Sequence, residues 1–243
     1  IINWSKILLE IKVLCQIKML YKLFKRIEDI VFSLLILIIF SPLLILFSIA
    51  SLLLEGWPIF YISRRMVGLN KVISIVKFRT MTRDAKSEKY GLEKKYMKDG
   101  YLDIPLGSEV FTPIGRILEK TQLVEVPQVF AVLYGKISFV GNRPLPMKNI
   151  ELLKKKYPEN WKGRFKSPAG ITGISQVVGK FELSSKQRLE LECLYSKVYE
   201  EGNVLKADAY IFFSTIIFLL LHDSVAYRSY ENAKNILLSC LNK

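Results

Sequence analysis

Two hundred and forty-three residues, 51% of them hydrophobic, are too apolar for a disordered chain and long enough for one ordinary domain with a membrane segment. The chain carries 36 Lys and Arg against 22 Asp and Glu, a net charge of +14, which suits an anionic membrane surface, a phosphorylated substrate or nucleic acid. A single uncharged run reaches spanning length, which excludes a polytopic transporter.

From Lys6 to Arg26, Ile7, Ile11, Leu14, Met19 and Leu23 recur at helical spacing among Lys12, Lys18, Lys22, Lys25 and Arg26. This reads as a basic amphipathic helix, lying at a headgroup boundary or packed on its own domain. Val31 to Leu54 then contains no charged residue. At about 1.5 Å per residue it is long enough to cross a hydrocarbon core of about 30 Å. Ser41-Pro42 stands near its middle, however, and an uncompensated proline kinks or breaks a helix at a cost of about 3 kcal/mol. Each half would then reach only mid-bilayer. Lys22, Lys25 and Arg26 precede the run, and Arg64, Arg65, Lys71, Lys77, Arg79 and Arg83 follow it, with no acidic residue from Gly56 to Arg83. Positive charge at both ends favours a re-entrant helical hairpin with both ends cytoplasmic over a kinked spanning helix.

Beyond the apolar run, Pro58 to Ser63 and Lys71 to Arg79 are expected to be strands joined at Gly68-Leu69-Asn70. Thr82 to Gly107 is a charged loop with some helix. Ile114 to Glu119 is a helical turn, and Pro127 to Tyr134 a short helix ended by Gly135. Lys136 to Val140 is a strand entering a turn at Gly141-Asn142. Gly170, Gly173 and Gly179 punctuate another strand-and-turn region, Lys186 to Tyr199 is a helix, and Ala207 to Leu221 an apolar helix too short to span. Cys15, Cys193 and Cys240 lack CxxC spacing and His222 is the single imidazole, so neither a disulfide framework nor a zinc site is expected.

Three features bear on chemistry. Strand alternation places Lys77 and Arg79 on one face, where a phosphate between them would relieve their repulsion, although two solvated surface charges would read the same way. Arg143 follows a strand and a Gly-Asn turn and precedes Pro144, which suits either phosphate recognition or an ion pair. Glu125, two residues before Pro127, is a helix-terminal carboxylate that becomes a metal ligand only where cations and phosphates converge on it.

The order of these features resembles the bacterial sugar transferase family, the monotopic polyprenyl-phosphate phosphoglycosyl transferases. The matching stretches are Lys25-Arg26 entering the Ser41-Pro42 segment, Gly56 to Asn70 (GWPIFYISRRMVGLN), Lys77 to Met81 (KFRTM), Gly115-Arg116, Glu125 to Gln128 (EVPQ), Ser138 to Pro144 (SFVGNRP), Gly170 to Gln176 (GITGISQ) and the helix carrying Leu205, Asp208 and Thr215. The resemblance implies an α+β, mostly helical fold with a small sheet and a Ser-Pro-broken re-entrant membrane helix. Residues 1–55 would form the amphipathic and membrane helices, and 56–243 the transferase domain on the cytoplasmic face of the inner membrane. It also implies transfer of a sugar 1-phosphate from a nucleotide diphosphate sugar to polyprenyl phosphate, with Mg²⁺. In the family an Asp attacks the diphosphate and the adjacent Glu helps to bind the metal. The family's Asp-Glu-Leu-Pro-Gln corresponds here to Val124 to Gln128, so Val124 occupies the nucleophile position. Glu119 replaces an expected Arg, and Asn142 a Pro. Carried over by position, Lys77, Arg79 and Arg143 are phosphate-side residues, and Glu125 is both the catalytic and the metal-side carboxylate. Nucleic acid is not expected as a partner, because the aromatic residues do not interleave with the basic ones as stacking platforms would.

Overall fold

The structure, a computed structural model, describes residues 4–85, 87–98, 101–179, 183–221 and 229–241, except for the side chains of 4–15, 17, 18, 98, 101, 220 and 221. His222 and the side chains of Lys12, Cys15 and Lys18 lie outside the described residues; Cys193 and Cys240 are free thiols. The chain is mostly helical. A long helix, α1 (Trp4–Glu55), leads into a hairpin of β1 (Phe60–Gly68) and β2 (Lys71–Phe78). The loop beyond contains α2 (Leu92–Tyr96) and the short pair β3 (Met97–Lys98) and β4 (Tyr101–Leu102). Then come α3 (Pro113–Lys120), a 3-10 turn (Leu123–Gln128), α4 (Val129–Leu133), β5 (Ser138–Val140), α5 (Met147–Lys156) and a second 3-10 turn (Gly163–Phe165). The chain continues through β6 (Gly170–Thr172), α6 (Ile174–Val178), α7 (Ser185–Glu201), α8 (Val204–Leu221) and α9 (Tyr230–Leu241). Among the described residues the sheet structure is three two-stranded pairs, antiparallel for β1-β2 and β3-β4 and parallel for β5-β6.

The helix α1 runs through Pro42 without interruption, where the sequence suggests two halves. Proline removes the N–H that would bond the Ile38 carbonyl, and the Ser41 hydroxyl donates to that same carbonyl at 3.1 Å. The Ser-Pro pair thus carries its own compensation. From Met19 to Glu55 this helix is long and apolar enough to cross a membrane.

Polar side chains attach α1 to the rest of the molecule at both ends of the apolar run. Lys25 pairs with the buried Asp208 carboxylate of α8 and donates to the Val140 carbonyl at 3.0 Å. Arg26 donates to the last carbonyls of α4, Val132 at 2.6 Å and Leu133 at 2.7 Å. Asp29, one helical turn further, accepts from the Ser138 hydroxyl and the Phe139 amide, both at 2.8 Å. At the other end, a Glu55 carboxylate oxygen accepts from the Ile114 amide at 3.1 Å, in the first turn of α3. Between these points Phe32 stacks on Phe212 of α8 at 4.2 Å, and Phe40, Leu44 and Phe47 pack on a cluster of Phe78, Ile114, Leu118, Leu123 and Val124. The opposite face of α1, with Leu34, Leu35, Ile38, Ile39, Ile45 and Leu46, is exposed and wholly apolar.

The main core lies among β5, β6, α6, α7, α8 and α9, where Ile174, Leu191, Tyr195, Ile211 and Leu237 are buried. The glycines of the two motifs at β5 and β6 are there for close approach. A Cβ on Gly170 would lie 2.1 Å from the Gly141 nitrogen, and one on Gly173 2.1 Å from the Gly141 oxygen. This contact sets the direction in which the chain leaves β5, and with it Arg143.

Candidate active site

The hairpin register pairs Tyr61 with Lys77, Ser63 with Ile75 and Arg65 with Ile73. These residues share the face packed on the first 3-10 turn, from which Glu125 projects. Lys77 Nζ donates to Glu125 Oε1 at 2.5 Å, and Arg143 Nη2 to the same oxygen at 2.9 Å. Neither uses Oε2. Burial would raise the Glu125 carboxyl, but Arg143 and Lys77, through charge and hydrogen bonds together, hold it well below the ordinary carboxylate range. Burial in turn lowers the Lys77 amine against the pull of Glu125. The structure therefore brings together Lys77, Glu125 and Arg143, far apart in sequence.

Arg65 is the member the sequence reading did not single out. Its Nε donates to Ser63 Oγ at 2.9 Å, and its pKa is lowered by burial and by the like charge of Arg143, with Glu125 opposing. Three cations thus surround one carboxylate, leaving a surplus of positive charge that an anion would balance. The local signal was present, since Tyr61, Ser63 and Arg65 alternate onto one face of the strand.

Arg79 stands elsewhere. The strand ends at Phe78, and the Arg79 guanidinium turns to the C-terminal end of α1. There it donates to the carbonyls of Pro58 at 2.6 Å, Gly56 at 2.8 Å, Glu55 at 3.1 Å and Met81 at 3.2 Å. It is 8% exposed. The expected pairing of Lys77 and Arg79 across one phosphate is therefore corrected: the anion beside Lys77 is Glu125, and Arg79 satisfies helix-terminal carbonyls.

A buried layer behind the site positions Arg143. Its carbonyl accepts from Arg164 Nη2 at 2.7 Å, while Arg164 Nε pairs with Glu192 of α7 at 2.7 Å. The second Glu192 oxygen accepts from Ser175 Oγ at 3.1 Å. Asn142 Nδ2 lies within 2.8 Å of the Arg164 carbonyl and 2.9 Å of the Glu192 carbonyl. No local pattern marks these partners in the sequence.

Val124 is 4% exposed and belongs to the apolar cluster under α1, beside Phe78 and Leu118. Glu119, on α3, accepts from Thr80 Oγ1 at 2.9 Å, and its charge is felt at Arg143. Among the described residues no group of three or more His, Cys, Asp or Glu is arranged to hold a metal. Glu125 Oε2, left by both cations, is among the described residues the one carboxylate oxygen there that could reach an Mg²⁺, and with the surrounding cations it would do so only together with substrate phosphate oxygens. A cavity of about 450 Å³ lies apart from these residues, between the start of the second 3-10 turn and α7, lined by Tyr157, Phe165 and Cys193 among others.

The sequence model of the bacterial sugar transferases matches residues 20–222. The chain belongs to this family. Among curated relatives of the chain, the UDP-glucose:undecaprenyl-phosphate glucose-1-phosphate transferase of Klebsiella pneumoniae is 32% identical over 194 residues, 79% of this chain and 39% of that one. The undecaprenyl-phosphate galactose phosphotransferase of Salmonella typhimurium is 30% identical over 203 residues, 82% of this chain and 41% of that one. The uncharacterized sugar transferase EpsL of Bacillus subtilis is 34% identical over 173 residues, 70% of this chain and 76% of that one. The chain thus spans about two fifths of the length of the first two and about three quarters of EpsL.

Proposed function

We propose that this chain transfers a sugar 1-phosphate from a nucleotide diphosphate sugar to polyprenyl phosphate at the cytoplasmic face of a membrane, initiating a membrane-linked glycan. The observation that carries the reading is the convergence of Lys77 and Arg143 on Glu125, with Arg65 beside them, at a position next to the apolar helix. Cations on rigid backbone are placed to offset charge on a diphosphate as its bond to the leaving nucleotide lengthens. Mg²⁺, when bound, would supply further neutralisation of that charge.

Val124 cannot attack phosphorus, and Glu125 is a poor substitute because two cations occupy one of its oxygens and hold it strongly ionised. Direct displacement fits these residues best. An oxygen of polyprenyl phosphate attacks the sugar-bearing phosphorus, a new P–O bond forms, the bridging P–O bond breaks, and its electron pair leaves with the nucleoside monophosphate. Glu125 keeps Lys77 and Arg143 in place throughout.

The test is release of UMP from UDP-glucose and UDP-galactose by purified protein in detergent with Mg²⁺. Release that requires polyprenyl phosphate, without exchange of labelled UMP into the donor when the acceptor is left out, is expected. Silence with both donors in wild type, with activity appearing in Val124→Asp, would overturn turnover. Burial of Val124 in an apolar cluster favours that second reading, a binding or scaffolding member of the family.

Attachment of both ends of the apolar run to one globular body supports both ends lying on one side of the bilayer, since a spanning helix would carry them to opposite sides. Cysteines placed at Lys18 and Arg64 are expected to label from the cytoplasmic side alone.

A further inference from the structure

The hairpin has a second face, turned away from Glu125. Register places Phe60 opposite Phe78, Ile62 opposite Val76, Arg64 opposite Ser74 and Met66 opposite Val72 on it. Its two ends are covered, Phe78 at 2% exposed in the cluster with Leu123 and Val124 and Met66 at 4% beside Leu145, but between them Ile62 is 62% exposed, and Phe60, Val72 and Val76 are exposed as well. The patch begins where α1 ends. Leu53 and Leu54 are exposed in the last turn of α1, and Trp57, 68% exposed, follows at once. Arg64 is exposed further along the same face, and no acidic residue lies between Gly56 and Arg83.

We propose that this outer hairpin face is a lipid-contacting surface: Trp57, Phe60, Ile62 and Val76 enter the headgroup boundary of an anionic bilayer, and Arg64 meets its phosphates. The proposal rests on the membrane reading of α1 and adds a second contact to it. Two properties select a bilayer as the occupant. The patch follows the exposed last turn of α1 directly along the chain, with only Glu55 and Gly56, both half-buried, between Leu54 and Trp57, and it sets exposed aromatic and apolar residues beside the cationic Arg64, as an interfacial element does. With its outer face on lipid, the hairpin presents Lys77 and Arg65 on its inner face, one strand thickness from the membrane surface.

The experiment compares full-length wild type with Trp57→Phe in vesicles carrying brominated acyl chains. Wild type is expected to contain a blue-shifted, bromine-quenched emission component that Trp57→Phe removes. Arg64→Gln is expected to weaken binding to phosphatidylglycerol-containing vesicles by about fivefold while leaving binding to pure phosphatidylcholine unchanged. If the protein binds vesicles but Trp57→Phe leaves quenching unaltered, the hairpin proposal fails while the membrane reading of α1 stands, and the face belongs to a protein partner. A quenched Trp57 with charge-independent binding overturns the anionic half of the proposal. Failure to bind vesicles at all overturns both readings.

Discussion

Replacing Arg79 by Lys tests the reassignment of this residue from phosphate ligand to backbone clamp. The guanidinium donates to four carbonyls spread over Glu55, Gly56, Pro58 and Met81, and a lysine amine at the end of a flexible stem reaches one of them at a time. With about 1 kcal/mol lost for each of the other three, the cost is about 3 kcal/mol, or about 6–12 °C in Tm for a chain of this size. Thermal unfolding in detergent followed by circular dichroism measures the shift, and calorimetric titration with UDP and Mg²⁺ measures binding below the transition. The expected pattern is a large fall in Tm with UDP affinity preserved. A Tm within about 2 °C of wild type together with a tenfold or greater loss of UDP affinity would refute the clamp and return Arg79 to the substrate.

Glu125 has a folded-state pKa well below its unfolded value of about 4.3, so its stabilising contribution is complete above that value and is lost as pH falls toward the folded one. Wild type should therefore exceed Glu125→Gln by about 3 kcal/mol at pH 7, and denaturant titrations should show that margin shrinking below about pH 4. The buried pair of Arg164 and Glu192 should cost about 3–5 kcal/mol when either partner alone is made apolar. Arg164→Met with Glu192→Leu should cost less than the sum, and strict additivity in the double-mutant cycle would contradict the coupling. Gly170→Ala, which forces a Cβ onto the Gly141 backbone, should give little folded protein, whereas Gly107→Ala, with open space around it, should unfold at the wild-type temperature.

The order of motifs along the chain was enough to place it in its family, and hydrophobic periodicity located α1, the hairpin, α7 and α8. What the sequence hid were partnerships. Lys25 and Arg26 read as membrane-flanking charges, but they reach Asp208 and the end of α4, more than a hundred residues away. Strand alternation mispaired Lys77 with Arg79 because it assumes that the strand continues, and β2 stops between them. Pro42 looked like a break because proline's cost is local and legible, whereas the compensating Ser41 bond depends on a rotamer. The helices α5 and α9 were passed over, the first because Lys148 and three C-terminal lysines mask its apolar Ile150 and Leu153. Val124 was recognised as a departure from the family, yet its place in an apolar cluster shared with α1 became visible only in three dimensions.

The attachment of α1 at both ends has a mechanical consequence. A helix held by Lys25, Arg26 and Asp29 at one end and by Glu55 and Arg79 at the other shares a rigid frame with the hairpin and the 3-10 turn that carry Lys77 and Glu125. With that helix seated in lipid as proposed, any change in its depth would move Lys77 and Glu125 by the same amount. The anchor is therefore also a depth gauge, and lipids that lift or sink it would tune the height at which a phosphate on a membrane-borne chain meets the site, without touching a single residue that binds it.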